Sequence, residues 1–258
     1  MVRATEQVYA VFGQRRAPDH LLDVCTGCCV DVAVEKEMRC MPLRQLTARH
    51  FYEYNTSAKS EVQPADEIKY FLPRMFELLS QGAELHHSTE LYLDRVGRCE
   101  PGVFSRPERA AIDAFALAFF SEGLSCHHWQ AHAQAQDLFM GSNAFDILLM
   151  FDLGGVALEP LLAYWLEAQG SGATLHYVEA SYWDFWKAQE IENAFASDRP
   201  AFREIMKSWL LDVRHRERFA QKMLALDAST IGQADGCGCG GCLGPRQIYD
   251  SVFDLIAE

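Results

Sequence analysis

Lysine and arginine are absent from Ala110 to Trp186, a run of 77 residues. The chain carries 23 basic residues in 258, so about seven would be expected in that span. The chain as a whole has 36 acidic residues and a formal net charge of −13. Nucleic-acid binding through phosphates needs clustered cations, so this balance argues against a nucleic-acid partner. Long apolar runs are also missing. The longest, such as Ala114–Phe120 and Ile147–Phe151, fall far short of the ~20 residues a bilayer span requires. The opening MVRATEQVYAVFGQRR has no uninterrupted apolar core and no small-residue cleavage site, so no signal peptide is expected and the compartment is read as cytoplasmic. No G-x-S-x-G elbow and no Walker loop is present, and no catalytic pair can be assigned.

Strand signals are scarce: no period-2 segment is flanked by hairpin chemistry, and no βαβ alternation appears. Helix signals dominate instead. Ser105-Arg106-Pro107-Glu108 reads as a capping box with proline in the first turn. It opens a run in which Ile112, Phe115, Ala116, Phe119 and Phe120 share one face. Ile68, Leu72, Met75, Phe76 and Leu79 form a second stripe, interrupted by Pro73, where a kink or a junction of two helices is expected. Further helices are expected near 5–16, 47–55, 88–96, 126–139, 142–153, 159–169, 174–196, 200–211, 212–227 and 246–257. No Pro/Ser-rich linker separates two halves. The expected fold is therefore all-α: one irregular helical domain over residues 1–258, or a HEAT-like array without a repeat of fixed period.

The nine cysteines concentrate in two clusters. Cys25-Thr26-Gly27-Cys28-Cys29 lies near the start, and Gly236-Cys237-Gly238-Cys239-Gly240-Gly241-Cys242 near the end. Each holds a C-x-x-C pair, whose two-residue gap lets both sulfurs face one ion. Cys25 and Cys28 with Cys239 and Cys242 would make a tetrahedral structural zinc site. Idle or buried thiols are the alternative, and Cys40, Cys99 and Cys126 are expected to be core residues. His128 and His132 share a helical face at i and i+4, a metal-compatible spacing that ordinary partly buried or solvent-facing histidines also show.

The cation-free span contains nine acids, namely Asp113, Glu122, Asp137, Asp146, Asp152, Glu159, Glu167, Glu179 and Asp184. Seven of them, from Asp137 onward, are the expected partner-binding set. On one face they would steer a basic protein into contact. Trp129, Trp165, Tyr177, Tyr182, Trp183 and Trp186 add residue types favoured in binding hot spots, although their helical spacing equally suits a core.

Four elements occur in order: Cys25-Thr26-Gly27-Cys28-Cys29, then Pro42-Leu43-Arg44, then Phe51-Tyr52-Glu53-Tyr54, then Asp66-Glu67-Ile68-Lys69-Tyr70-Phe71-Leu72-Pro73-Arg74. Together they resemble a set of bacterial helical proteins that share a C-x-x-C-C-type cluster, a P-L-R element and a Y-F-L-P-R element. The resemblance covers the first third of the chain, implies a bacterial cytoplasmic helical protein, and brings no activity with it. The acidic, cation-free span instead sets the expectation of a non-enzymatic acidic binding protein that masks a basic partner. Its most concrete form is a bacterial immunity protein occupying the cationic groove of a nuclease-type toxin. The alternative is a metal-handling or thiol-dependent enzyme built on the cysteine clusters.

Overall fold

The computed structural model describes residues 1–130, 137–227, 230–231 and 243–257, and among them the chain is all-α. Among the described residues β-pairing is confined to isolated bridges, such as Val24 with Ala58. None of the described helices is long and apolar enough to cross a membrane. The chain divides into two compact units, Met1–Phe119 with Met150–Leu158, and Phe120–Leu149 with Glu159–Glu258.

The first unit is built around α4 (Ala65–Leu79), with α1 (Val2–Phe12), α2 (Val32–Cys40), α3 (Ala48–Thr56), the short α5 (Asp94–Gly97) and the first part of α6 (Arg106–Gly123). Ile68, Phe71, Leu72, Met75, Phe76 and Leu79 of α4 are all completely buried, as the apolar stripe requires. Phe76 stacks on Phe115 of α6 with ring centres 4.0 Å apart. The proline removes one helical hydrogen bond, yet α4 runs unbroken through Pro73, which is itself buried. No second helix begins there.

The capping box at the start of α6 is present: the Ser105 N–H donates to Glu108 at 2.7 Å and the Glu108 N–H to the Ser105 hydroxyl at 3.4 Å. Glu108 also receives Lys69 at 2.9 Å and Arg15 at 2.5 Å. Burial opposes its charge, but Lys69, the Ser105 amide and Arg15 outweigh it and hold the carboxyl at about 2.

Gly97 ends α5 where the backbone of Leu153 passes. A Cβ there would lie 1.7 Å from the Leu153 carbonyl oxygen, so only glycine fits.

In the second unit, α8 (Glu159–Glu167), α9 (Ser171–Ser181), α10 (Pro200–Leu211), α11 (Val213–Leu224) and α12 (Pro245–Ala257) enclose an aromatic core; the first turns of α7 (Ala144–Leu153) also belong to it. Trp165 stacks on Trp209 at 5.4 Å and Tyr177 on Phe219 at 3.7 Å, while the Trp165 indole N–H donates to the Ala173 carbonyl at 2.8 Å. Of the aromatics weighed as hot-spot residues, Trp129, Trp165, Tyr177 and Trp186 are buried, and only Trp183 is exposed.

His176 of α9 is also buried. Its Nε2–H donates to the Cys126 carbonyl at 2.8 Å, and its Nδ1 meets no partner. Burial and the neighbouring His127 therefore push its pKa down to about 3.

Two expected helices are corrected and one unexpected helix is added. No helix covers 126–130 of the expected 126–139 segment, and residues 131–136, His132 among them, lie outside the described residues. The cause is side-chain competition: the Gln130 side chain accepts the His127 N–H at 2.7 Å, and His127 Nδ1 accepts the Trp129 N–H at 3.1 Å. The helix expected at 174–196 ends earlier, in a π turn at Tyr182–Trp186. Conversely, α2 was not anticipated. Asp31 caps it by accepting the Ala33 N–H at 2.7 Å, but its only buried apolar residues, Val34 and Met38, make too thin a stripe to stand out in sequence.

Two stability measurements follow. Gly97→Ala should lower urea-unfolding stability by about 2–3 kcal/mol, whereas Gly170→Ala, where an added Cβ meets nothing, should stay within about 0.5 kcal/mol. His176 is harder to protonate when folded, so the stability it contributes is complete above the unfolded histidine value of about 6.5 and is lost as pH falls toward 3. Between pH 6.5 and 5, His176→Gln should therefore flatten the pH dependence of unfolding by up to about 1.4 kcal/mol per pH unit. An unchanged slope would show that His176 titrates normally.

Candidate metal centre

Among the described residues, two groups of Cys, His, Asp or Glu bring three ligand atoms within 4.8 Å of one another: Cys25, Cys28 and Cys29, and His127, His128 and Glu179. The first lies in the first unit, on a turn made by the chain between α1 and α2. Cys29 N–H and Val30 N–H both donate to the Cys25 carbonyl, at 3.3 and 3.0 Å. That pair of bonds folds five residues back on themselves and gathers their side chains. Buried Val24 and Val30 anchor the turn on either side, and the Cys25 N–H donates to the Ser57 carbonyl at 2.8 Å.

The Cys25 and Cys28 sulfurs are 3.4 Å apart, and those of Cys28 and Cys29 3.1 Å. Two thiolates bound to one zinc at tetrahedral angles stand about 3.8 Å apart, so small rotamer changes suffice to seat an ion. Cys25 is half-buried, and Cys28 and Cys29 are exposed. Hydrogen bonds from the Cys28 thiol and from the Gly27 and Cys28 amides bring the Cys25 pKa down to about 7. The Cys28 thiol, bonded to Cys29 and Cys25, is pushed up to about 12. One sulfur of the group is therefore ready to act as a thiolate near neutral pH.

What holds the turn in place is a buried charge. Arg95, of α5, is 1% exposed. Its guanidinium donates to the Asp23 carbonyl at 3.0 Å, the Tyr54 carbonyl at 2.7 Å and the Gln63 side chain at 2.6 Å, and lies 3.6 Å over the Tyr54 ring. Its carboxylate partners are Asp23 at 3.7 Å and Glu67 at 3.9 Å. Glu67 in turn accepts the Asp23 N–H at 3.0 Å and the Tyr54 hydroxyl at 3.1 Å. Asp23 accepts from the Ser60 N–H and hydroxyl, at 3.1 and 2.8 Å. The residues immediately before Cys25 are thus tied to α3, α4, α5 and the chain around Ser60. Burial lifts the Glu67 carboxyl above its ordinary range and depresses the Arg95 guanidinium.

Of the four cysteines expected as zinc ligands, Cys25 and Cys28 come together, while Cys239 and Cys242 lie outside the described residues. Cys29 joins the group although the C-x-x-C pattern passes over it; its adjacency to Cys28 was the available signal. Of the lone cysteines, Cys99 is buried, Cys126 is half-buried, and Cys40 is exposed instead of packed in the core.

Several acids of the cation-free span are drawn into local structure. Asp137 accepts the Phe139 and Gly141 N–H groups. Asp146 accepts the Asn193 side chain and Asp184 that of Asn143. Glu167 faces Arg218 at 3.3 Å, and Glu179 receives His127 Nε2 at 2.8 Å. Glu159 is exposed at the first turn of α8, and Asp152 is half-exposed near the end of α7, in the first unit. No protein-family model, curated protein or solved structure matches this chain.

Arg95→Ala should cost about 3–5 kcal/mol, because it strands the buried Glu67 carboxylate and leaves the Asp23 and Tyr54 carbonyls without their donor. Removal of the exposed Arg49, paired with Glu53 at the surface, should cost less than about 1 kcal/mol. Equal losses in urea unfolding would show that Arg95 has no special anchoring role.

Proposed function

We propose that the protein is a metal-handling protein whose Cys25-Thr26-Gly27-Cys28-Cys29 turn binds a thiophilic ion, zinc foremost, and exchanges it with other thiol ligands. The observation that carries this is the convergence of three sulfurs on one five-residue turn with two of them exposed. Thiolates select soft and borderline ions such as Zn2+ and Cu+. A closed structural zinc site surrounds its ion with four ligands, whereas the three thiols gathered among the described residues leave one coordination position for a further ligand. Arg95 and Glu67 support the reading by anchoring the chain at Asp23, which keeps the turn formed and lowers the cost of bringing three sulfurs together.

Masking of a basic protein partner, as an immunity protein would mask a nuclease toxin, draws on the lysine- and arginine-free span and on the exposure of Glu122, Asp137, Glu159 and Glu167. With Glu167 paired to Arg218, Asp137 spent on backbone amides and Glu179 on His127, the carboxylates lend that role less weight than the thiols lend metal binding.

Protein purified anaerobically without chelator should carry a near-stoichiometric soft metal by elemental analysis. Cys25, Cys28 and Cys29 should resist alkylation until a chelator is added. The C25S/C28S/C29S variant should lose the thiol-bound metal, and a C239S/C242S variant reports whether those thiols contribute. Unaltered metal content in the triple variant, or rapid alkylation of all three thiols in metal-loaded protein, would overturn the proposal.

A further inference from the structure

The second ligand group stands in the second unit, in chemistry unlike the first. Glu179 projects from α9 with one oxygen 2.8 Å from His127 Nε2 and the other 3.4 Å from His128 Nε2. The two imidazoles are stacked, with centres 4.5 Å apart. Their environments differ sharply: the His127 side chain is fully buried and that of His128 is 65% exposed.

The backbone bond already described assigns the proton on His127. Its Nδ1 accepts the Trp129 N–H, so the neutral ring carries its hydrogen on Nε2 and donates it to Glu179 Oε2. His127 therefore orients the carboxylate and has no lone pair left at Nε2 for a metal. Such a donor behind a ligating carboxylate is the usual outer-shell arrangement of metal sites. His128 Nε2 and Glu179 Oε1 remain, and their 3.4 Å separation matches the about 3.0–3.4 Å between two ligands held about 2.1 Å from one ion at 90° to tetrahedral angles.

The surrounding charge also suits a cation. Asp137 lies close enough to act on His127, and the sequence from Ala110 to Trp186 supplies no lysine or arginine that would compete for Glu179. His176, whose ring lies 4.5 Å from that of His127, is held neutral by burial and adds no positive charge.

We infer that Glu179 and His128 form a second, nitrogen-and-oxygen site for a borderline divalent ion such as Zn2+, Co2+ or Ni2+, with His127 as its positioning residue and water completing the coordination. This site does not depend on the thiol reading, since it shares no residue with the cysteine turn.

Co2+ titration of the untagged full chain, followed by visible absorption and calorimetry, separates the two. Cobalt on nitrogen and oxygen gives weak visible bands, whereas cobalt on sulfur adds intense near-ultraviolet charge transfer. We expect the weak-band binding to survive in C25S/C28S/C29S and to fall at least about tenfold in both His128→Asn and Glu179→Gln. His127→Gln should weaken it by about 10–100-fold while leaving the spectrum that of a nitrogen-and-oxygen ligand set. His128 is exposed and Glu179→Gln is nearly isosteric, so helix content by circular dichroism should be unchanged in both. Absence of the weak bands in folded wild-type protein, or their persistence in both His128→Asn and Glu179→Gln, would overturn the inference.

Discussion

A guanidinium buried to 1% exposure in the first unit is the constraint on which the thiol turn depends. An isolated charge there would be prohibitively costly, and Arg95 is tolerated because every direction around it is answered. Two carbonyls and a glutamine oxygen accept its hydrogens, the Tyr54 ring lies beneath its plane, and Asp23 and Glu67 supply negative charge. These partners come from segments far apart in sequence, so satisfying one side chain draws four pieces of chain together. The irregular stretch before Cys25 is one of them, and it has no helix or sheet of its own to hold it.

Both candidate metal groups draw neighbouring residues from a turn, to which the second adds Glu179 of α9. In each, a few hydrogen bonds hold neighbouring residues where a helix would have spread them around its axis. At Cys25–Cys29 two amides converge on one carbonyl; at His127–Gln130 side chains take the amide bonds that a helix would have used. The consequences for chemistry differ. The cysteine turn presents three soft, mostly exposed donors with one acidified thiol. The histidine turn presents one exposed imidazole beside a carboxylate already oriented by a buried one.

The acids of the cation-free span illustrate how composition and structure can part. Their number is a property of sequence, but a carboxylate that caps a turn or accepts an asparagine is committed locally before it can contribute to a surface field. Asp137, Asp146 and Asp184 are of this kind. The aromatics of the same span behave likewise: Trp165 and Tyr177 meet Trp209 and Phe219 in the interior, as their helical spacing allowed.

By itself the sequence determined the helical class, the stripe of α4, the Ser105–Glu108 capping box and the pairing of Cys25 with Cys28, because each rests on residues within a few positions of one another, where periodicity and local hydrogen bonding decide. It left α2 hidden and suggested a helix at 126–130, because a thin apolar stripe and competing side-chain bonds leave little periodic trace. Only the tertiary structure decided that Arg95 would be buried, that Glu67 would meet Asp23 and Tyr54, and that Glu179 would reach two histidines some fifty residues away. Those contacts join segments whose encounter is set by the packing of whole helices, and one charged residue looks like another until its surroundings remove the water.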